Sequence, residues 1–152
     1  MSTTEHAADH PWAGHEREKL QELMDTEQVK IGVHIRKMNS PGSPVYRMSE
    51  NIVPAALILV SSFAGTALIH FYVGAVILAV GCTWWVWKVL PQIREATFLR
   101  TTAYVLESDA HFDQMWARGM LSLYAKLPDG TERAAANRDD WRAFIRSLHG
   151  IF

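Results

Sequence analysis

The chain has 152 residues, 49% of them hydrophobic, with 15 Lys and Arg against 16 Asp and Glu and a formal net charge of -1. That length suits one ordinary domain, and a near-neutral balance gives no reason to expect a nucleic-acid partner. The single cysteine, Cys82, excludes an intramolecular disulfide and leaves a thiolate zinc site without its other ligands.

Charge is spread evenly outside one apolar window. The first fifty residues carry six basic and eight acidic side chains, and residues 91–152 carry eight of each, so neither end is a charged tail. Residues 1–14 are polar, include Pro11 and Gly14, and read as disordered. No basic stretch followed by an apolar run opens the chain, so no secretory signal is expected. His6, His10 and His15 are loosely spaced and lack the further ligands of a tetrahedral metal set.

Over residues 15–38, Leu20, Met24, Ile31 and Met38 recur at near-heptad spacing with Leu23 and Ile35 alongside, which predicts an amphipathic cytoplasmic helix. Glu16, Glu18 and Glu22 lie early and Lys30, Arg36 and Lys37 late, as the helix dipole prefers. Residues 39–50, with Pro41, Gly42, Ser43 and Pro44, form a linker.

Residues 51–90 contain only Lys88 and His70 as groups able to carry charge. As one helix they would reach about 60 Å, twice the roughly 30 Å hydrocarbon core of a bilayer. Two membrane-spanning helices, 52–69 and 72–90, fit instead. His70, Phe71 and Tyr72 suit one membrane interface, and Trp84, Trp85, Trp87 and Lys88 the other. Pro54 falls in the first turn of the first helix, and Pro91 is expected to kink or end the second. Arg36, Lys37 and Arg47 precede the hairpin, Lys88, Arg94 and Arg100 follow it, and the turn has no Lys or Arg. The positive-inside rule then puts both termini on the cytoplasmic side of an inner membrane. Small residues are expected to pack the two helices: Ser61, Gly65 and Ala67 on the first, Gly74 and Gly81 on the second, with Ala67 near Gly74 and Gly65 near Val76. The absence of Asp, Glu and Arg at mid-depth argues against coupled ion transport.

Residues 91–152 read as a small α+β cytoplasmic domain of helix, β-hairpin and helix. The first part continues the second span as a helix, with a strand over 97–106 as the alternative. Ser108 or Asp109 caps a short helix carrying Phe112, Met115 and Trp116, stopped at Gly119. Residues 121–127 alternate, Pro128-Asp129-Gly130 turns the chain, and residues 131–135 return as a second strand. Asn137 is expected to cap a final helix, with Asp140 as its box partner. Trp141, Phe144, Ile145 and Leu148 form one stripe of that helix. A domain this small has a marginal core, so the stripe is read as a partner-binding face.

No P-loop, dinucleotide fingerprint, nucleophile elbow or metalloprotease motif is present. Asp139 and Asp140 diverge by about 100° on a helix, and His111 and Asp113 lack a nucleophile at catalytic spacing. The fold class is therefore membrane α-helical: a two-helix transmembrane hairpin with an N-terminal amphipathic helix and a small C-terminal α+β part, with no enzyme activity and no cofactor expected. The expected role is an accessory or structural subunit of a larger inner-membrane complex, with other membrane subunits and lipid as partners and a homo-oligomer as the further option. The alternatives are a self-assembling, holin-like pore and a tether for a soluble cytoplasmic partner.

Overall fold

The computed structural model describes residues 14–152, so the expected N-terminal disorder and the residues His6 and His10 lie outside the described residues. The chain forms two compact units: residues 14–34 with Thr101–Phe152, and Ile35–Arg100. The N-terminal helix and the C-terminal domain, expected as separate parts, thus belong to one unit. The division falls at residue 100 rather than at 91.

In the first unit, helix α1 (Glu16–Asp25) ends where the Thr26 hydroxyl donates back to the carbonyls of Glu22 and Leu23, at 3.0 and 3.2 Å. Glu27 follows with φ 58°, left-handed backbone that stops a helix of L-residues. The helix expected over 15–38 therefore does not form. Val29–Val33 is strand β1, and Ile35–Met38 is a four-residue helix, α2, of the other unit. Val29-Lys30-Ile31-Gly32-Val33 has the period of a strand and is rich in β-branched residues. The near-heptad spacing was an accident of that alternation placed after a real helix.

Strand β1 pairs antiparallel with β2 (Leu121–Lys126), Ile31 opposite Leu123, and β2 pairs antiparallel with β3 (Glu132–Ala135). The expected two-stranded hairpin is thus a three-stranded sheet in the order β1-β2-β3. Its turn is as the sequence predicts: Gly130 sits at φ 84°, and the Asp129 carboxylate accepts from the Thr131 amide and hydroxyl at 2.8 and 2.7 Å. One sheet face buries Val29, Ile31, Leu121, Leu123, Ala125 and Ala135. Helices α1 and α6 (Asp109–Ala117) pack on the sheet, and α7 (Trp141–Ser147) packs on α1. Phe112 is fully buried, its ring 4.5 Å from that of Trp141 and 6.0 Å from that of Trp116. On the other face the Tyr124 ring lies over Gly32, where an added Cβ would come within 2.7 Å of Cε2. Ser108 caps α6, its hydroxyl accepting from the His111 amide. Asp140, not Asn137, caps α7: its carboxylate accepts from the Arg142 amide at 2.9 Å.

The second unit opens with α2 and a turn-rich segment, tied down where the Asn39 and Asn51 side chains exchange hydrogen bonds at 2.9 and 3.1 Å. Helix α3 (Met48–Leu68) and helix α4 (Phe71–Trp84) are joined through Ile69 and His70. The His70 Nδ1 accepts from the Tyr72 amide at 3.3 Å. After α4 come a π-helical turn, Trp85–Val89, and helix α5 (Leu90–Glu107), so the helical run is 37 residues long. Pro91 neither ends nor interrupts it. The Leu90 amide instead reaches back five residues to the Trp85 carbonyl. A widened turn gives the pyrrolidine ring room against the preceding carbonyl, which is how a helix passes a proline without breaking. The strand alternative for 97–106 is excluded. Two helices are thus long and apolar enough to cross a membrane, and only 6% and 11% of their most apolar windows are buried.

Candidate functional site

The seam of the hairpin is built from glycines and hydroxyls. Gly65 and Gly74 are buried. A Cβ on Gly74 would collide with the Thr66 hydroxyl and come within 2.6 Å of the Ser62 carbonyl. On Gly65 it would meet Ile77 at 2.8 Å, and on Gly81 Ile58 at 2.7 Å. Such gaps let helix backbones approach closely. The Ser62 hydroxyl donates across the seam to the Gly74 carbonyl at 2.9 Å, and the Thr66 hydroxyl donates to the Ser62 carbonyl at 3.0 Å. Ala67, expected in the seam, is exposed, and Ser61 lines an open groove between the helices with Ile58, Ile77 and Gly81. Gly74 meets Ser62 and Thr66 rather than Ala67, and Gly65 meets Ile77 rather than Val76. Ser62 and Thr66 were legible in principle, because positions 58, 62, 65 and 66 recur at i, i+4 and i+7 or i+8, one face of a helix.

The two ends of the hairpin differ. At the turn, the His70 and Tyr72 rings stack at 5.3 Å, and Phe71 and Tyr72 are exposed. At the base, Trp84, Trp87 and Lys88 are exposed, while Trp85 is half-buried and its indole N–H is buried without an acceptor. The base also holds a groove of about 370 Å³. Glu50 and Gln92 supply its polar groups, and Pro54, Trp84, Val89 and Ile93 its apolar ones. The Glu50 carboxylate is held by the Arg100 guanidinium, with Arg47 Nη1 at 3.8 Å. Arg100 also donates to the carbonyls of Val45 and Ala96, at 3.2 and 3.1 Å.

The stripe read as partner-binding is largely inside the first unit. Trp141, Ile145 and Leu148 are buried and Phe144 is half-buried, so this stripe is core and is covered by the chain itself. Sequence periodicity identifies an apolar face but not what covers it. Trp141 Nε1 donates to Asp113 Oδ1 at 2.8 Å, and Arg142 grips both oxygens of the same carboxylate, each at 2.8 Å. The hydrogen bonds from Arg142, with a smaller contribution from Trp141, hold the Asp113 carboxyl below the usual carboxylate range against the opposing effect of burial. The same pairing raises Arg142. His111 is engaged elsewhere: its ring stacks on Tyr104 at 4.1 Å, and its Nδ1 lies 3.2 Å from the Tyr104 carbonyl. His111 and Asp113 therefore do not form an acid/base pair. Arg146 reaches the buried Glu16 at 3.4 Å and Asp140 at 3.8 Å. Asp139 and Asp140 are spent on backbone amides, of Ala136 and Arg142. Among the described residues no three His, Cys, Asp or Glu side chains converge as a metal site would require. Comparison with protein-family models, with curated proteins and with solved structures finds no match to this chain.

Proposed function

We propose that the protein is a two-pass inner-membrane protein acting as a non-enzymatic accessory or structural subunit of a larger membrane complex. Helix α3 and the stretch 72–90 cross the bilayer, both termini are cytoplasmic, and the sheet unit lies on the cytoplasmic side. The observation that carries this reading is the contrast in burial. Leu57, Phe63, Leu68, Val80 and Trp87 each stand at least half exposed on the hairpin, while the sheet unit closes over its own core. An apolar helix that is not covered by protein calls for lipid or another helix as its solvent. The basic residues agree with the orientation: between 35 and 100 all six Lys and Arg lie toward the base, and none lies at the turn.

A self-assembling pore is the competing reading. The hydroxyls of Ser62, Thr66 and Thr83 speak against it, because each is taken up by a backbone carbonyl of the hairpin and does not contribute to a polar stripe. A tether working through α7 is disfavoured, because the stripe it would use is core. The test is extraction in mild detergent at native abundance, then native electrophoresis with mass spectrometry. Foreign subunits in stoichiometric amount are expected. A ladder of this chain alone, with depolarisation of cells that overproduce it, would overturn the subunit reading in favour of the pore.

A further inference from the structure

We propose that His70 makes the turn of the hairpin sensitive to acid: with its imidazole neutral the ring caps α4, and protonation removes that cap. The inference concerns the turn alone and holds whichever side of a membrane the turn faces.

His70 is the pivot of the chain reversal. Its amide donates to the Gly65 carbonyl at 3.2 Å and so closes the end of α3. Its carbonyl accepts from the Val73 and Gly74 amides, at 3.0 and 3.3 Å, and so opens α4. Its backbone is extended, as that of a residue capping a helix start is, and its Nδ1 accepts from the Tyr72 amide at 3.3 Å. An accepting Nδ1 carries no proton, so the ring proton sits on Nε2. The ring also stacks on that of Tyr72, with 14° between the planes and centroids 5.3 Å apart, which holds it in the capping orientation.

Protonation acts on this arrangement twice, in the same direction. Both nitrogens of an imidazolium are donors, so Nδ1 can no longer accept from the Tyr72 amide. The new positive charge also stands at the N-terminus of α4, the end of a helix that disfavours cations. The two helices that meet at the turn offer no counter-charge: residues 51–87 contain no Asp, Glu, Lys or Arg, and besides His70 their ionisable groups are Tyr72, in the turn, and Cys82, far along α4. Imidazole is the side chain whose charge ordinarily changes in mildly acidic water. The consequence reaches the helix seam. Gly74, whose amide bonds to the His70 carbonyl, also receives the Ser62 hydroxyl, so a frayed first turn of α4 loosens the seam where the backbones come close.

The test follows the full chain in detergent micelles by nuclear magnetic resonance, at about pH 7.5 and about pH 5, which bracket the range over which imidazoles change charge. The His70 ring is expected to carry a proton on Nε2 alone at the higher pH. Protection of the Tyr72 amide from water exchange, corrected for the intrinsic pH dependence of exchange, should fall about fivefold at the lower pH. His70→Asn, which caps a helix without titrating, should keep its protection at both pH values, and His70→Ala should lack it at both. Protection that stays constant in the natural chain while the ring becomes charged, or that survives in His70→Ala, overturns the proposal, as does a ring proton on Nδ1 at the higher pH.

Discussion

The sheet unit and the hairpin unit are built from similar apolar residues put to opposite uses. Phe112, Leu123, Ile145 and Leu148 are each 0% exposed in the sheet unit, whereas Phe63 is 72% and Leu68 83% exposed on the hairpin. The sheet unit gathers its core from both ends of the chain and satisfies its polar groups with capping carboxylates and a bidentate Arg142–Asp113 pair. The hairpin packs through absent side chains, at Gly65, Gly74 and Gly81, and through hydroxyls turned onto its own carbonyls. One unit is held by the exclusion of water. The other is held by close contact of its two helices and by hydrogen bonding across and along them.

The largest test of that contrast is Trp141→Ala. It removes a buried ring and leaves Asp113 without one donor, so it should cost the sheet unit about 3–5 kcal/mol. In detergent, trypsin should then digest residues 101–152 quickly while the hairpin stays protected. Protection of both regions would mean that α7 is not core. Gly74→Leu should do the reverse. Its side chain has no space against Ser62 and Thr66, and the overpacking should cost the hairpin about 1–3 kcal/mol. That loss would be read as a lower SDS midpoint in mixed micelles, with the proteolysis of the sheet unit unchanged.

Asp140→Ala removes the cap of α7 and should cost about 1 kcal/mol in urea unfolding of the sheet unit. The smallest effect is electrostatic. Because the Asp113 carboxyl is held low in the folded state, its stabilisation is present above the unfolded value and is lost as pH falls through the folded one. The side chain is 45% exposed, so solvent screening limits the contribution to about 1 kcal/mol or less. Asp113→Asn should therefore lower the urea midpoint at neutral pH, and the difference should close once pH has fallen through the lowered folded value. A difference that persisted there would assign the effect to packing of Trp141 rather than to charge.

What was legible in the sequence was local. The apolar window 51–90, its division near His70, the Pro128-Asp129-Gly130 turn, the Ser108 cap and the apolar stripe of α7 each follow from composition or spacing within a dozen residues or a single window. The seam was half legible. Glycines at 65, 74 and 81 announced close packing, but which face of each helix meets the other depends on how Ile69 and His70 reverse the chain. Of the five expected packing residues, Gly65, Gly74 and Gly81 lie in the seam and Ala67 is exposed, while Ser61 lines a groove between the helices; Ser62 and Thr66, not among the five, meet Gly74.

The sequence by itself determined the hairpin, because a run of forty residues with almost no ionisable group has few solutions other than helices whose backbone polar groups bond internally. Only the tertiary structure decided that Val29–Val33 is a strand, because its partner β2 lies some ninety residues away and the ladder that rewards the extended backbone is invisible to any local pattern. Only the tertiary structure, likewise, decided that Trp141, Ile145 and Leu148 face the chain's own α1 unit rather than a partner, because burial is a property of what arrives on a face, not of the face.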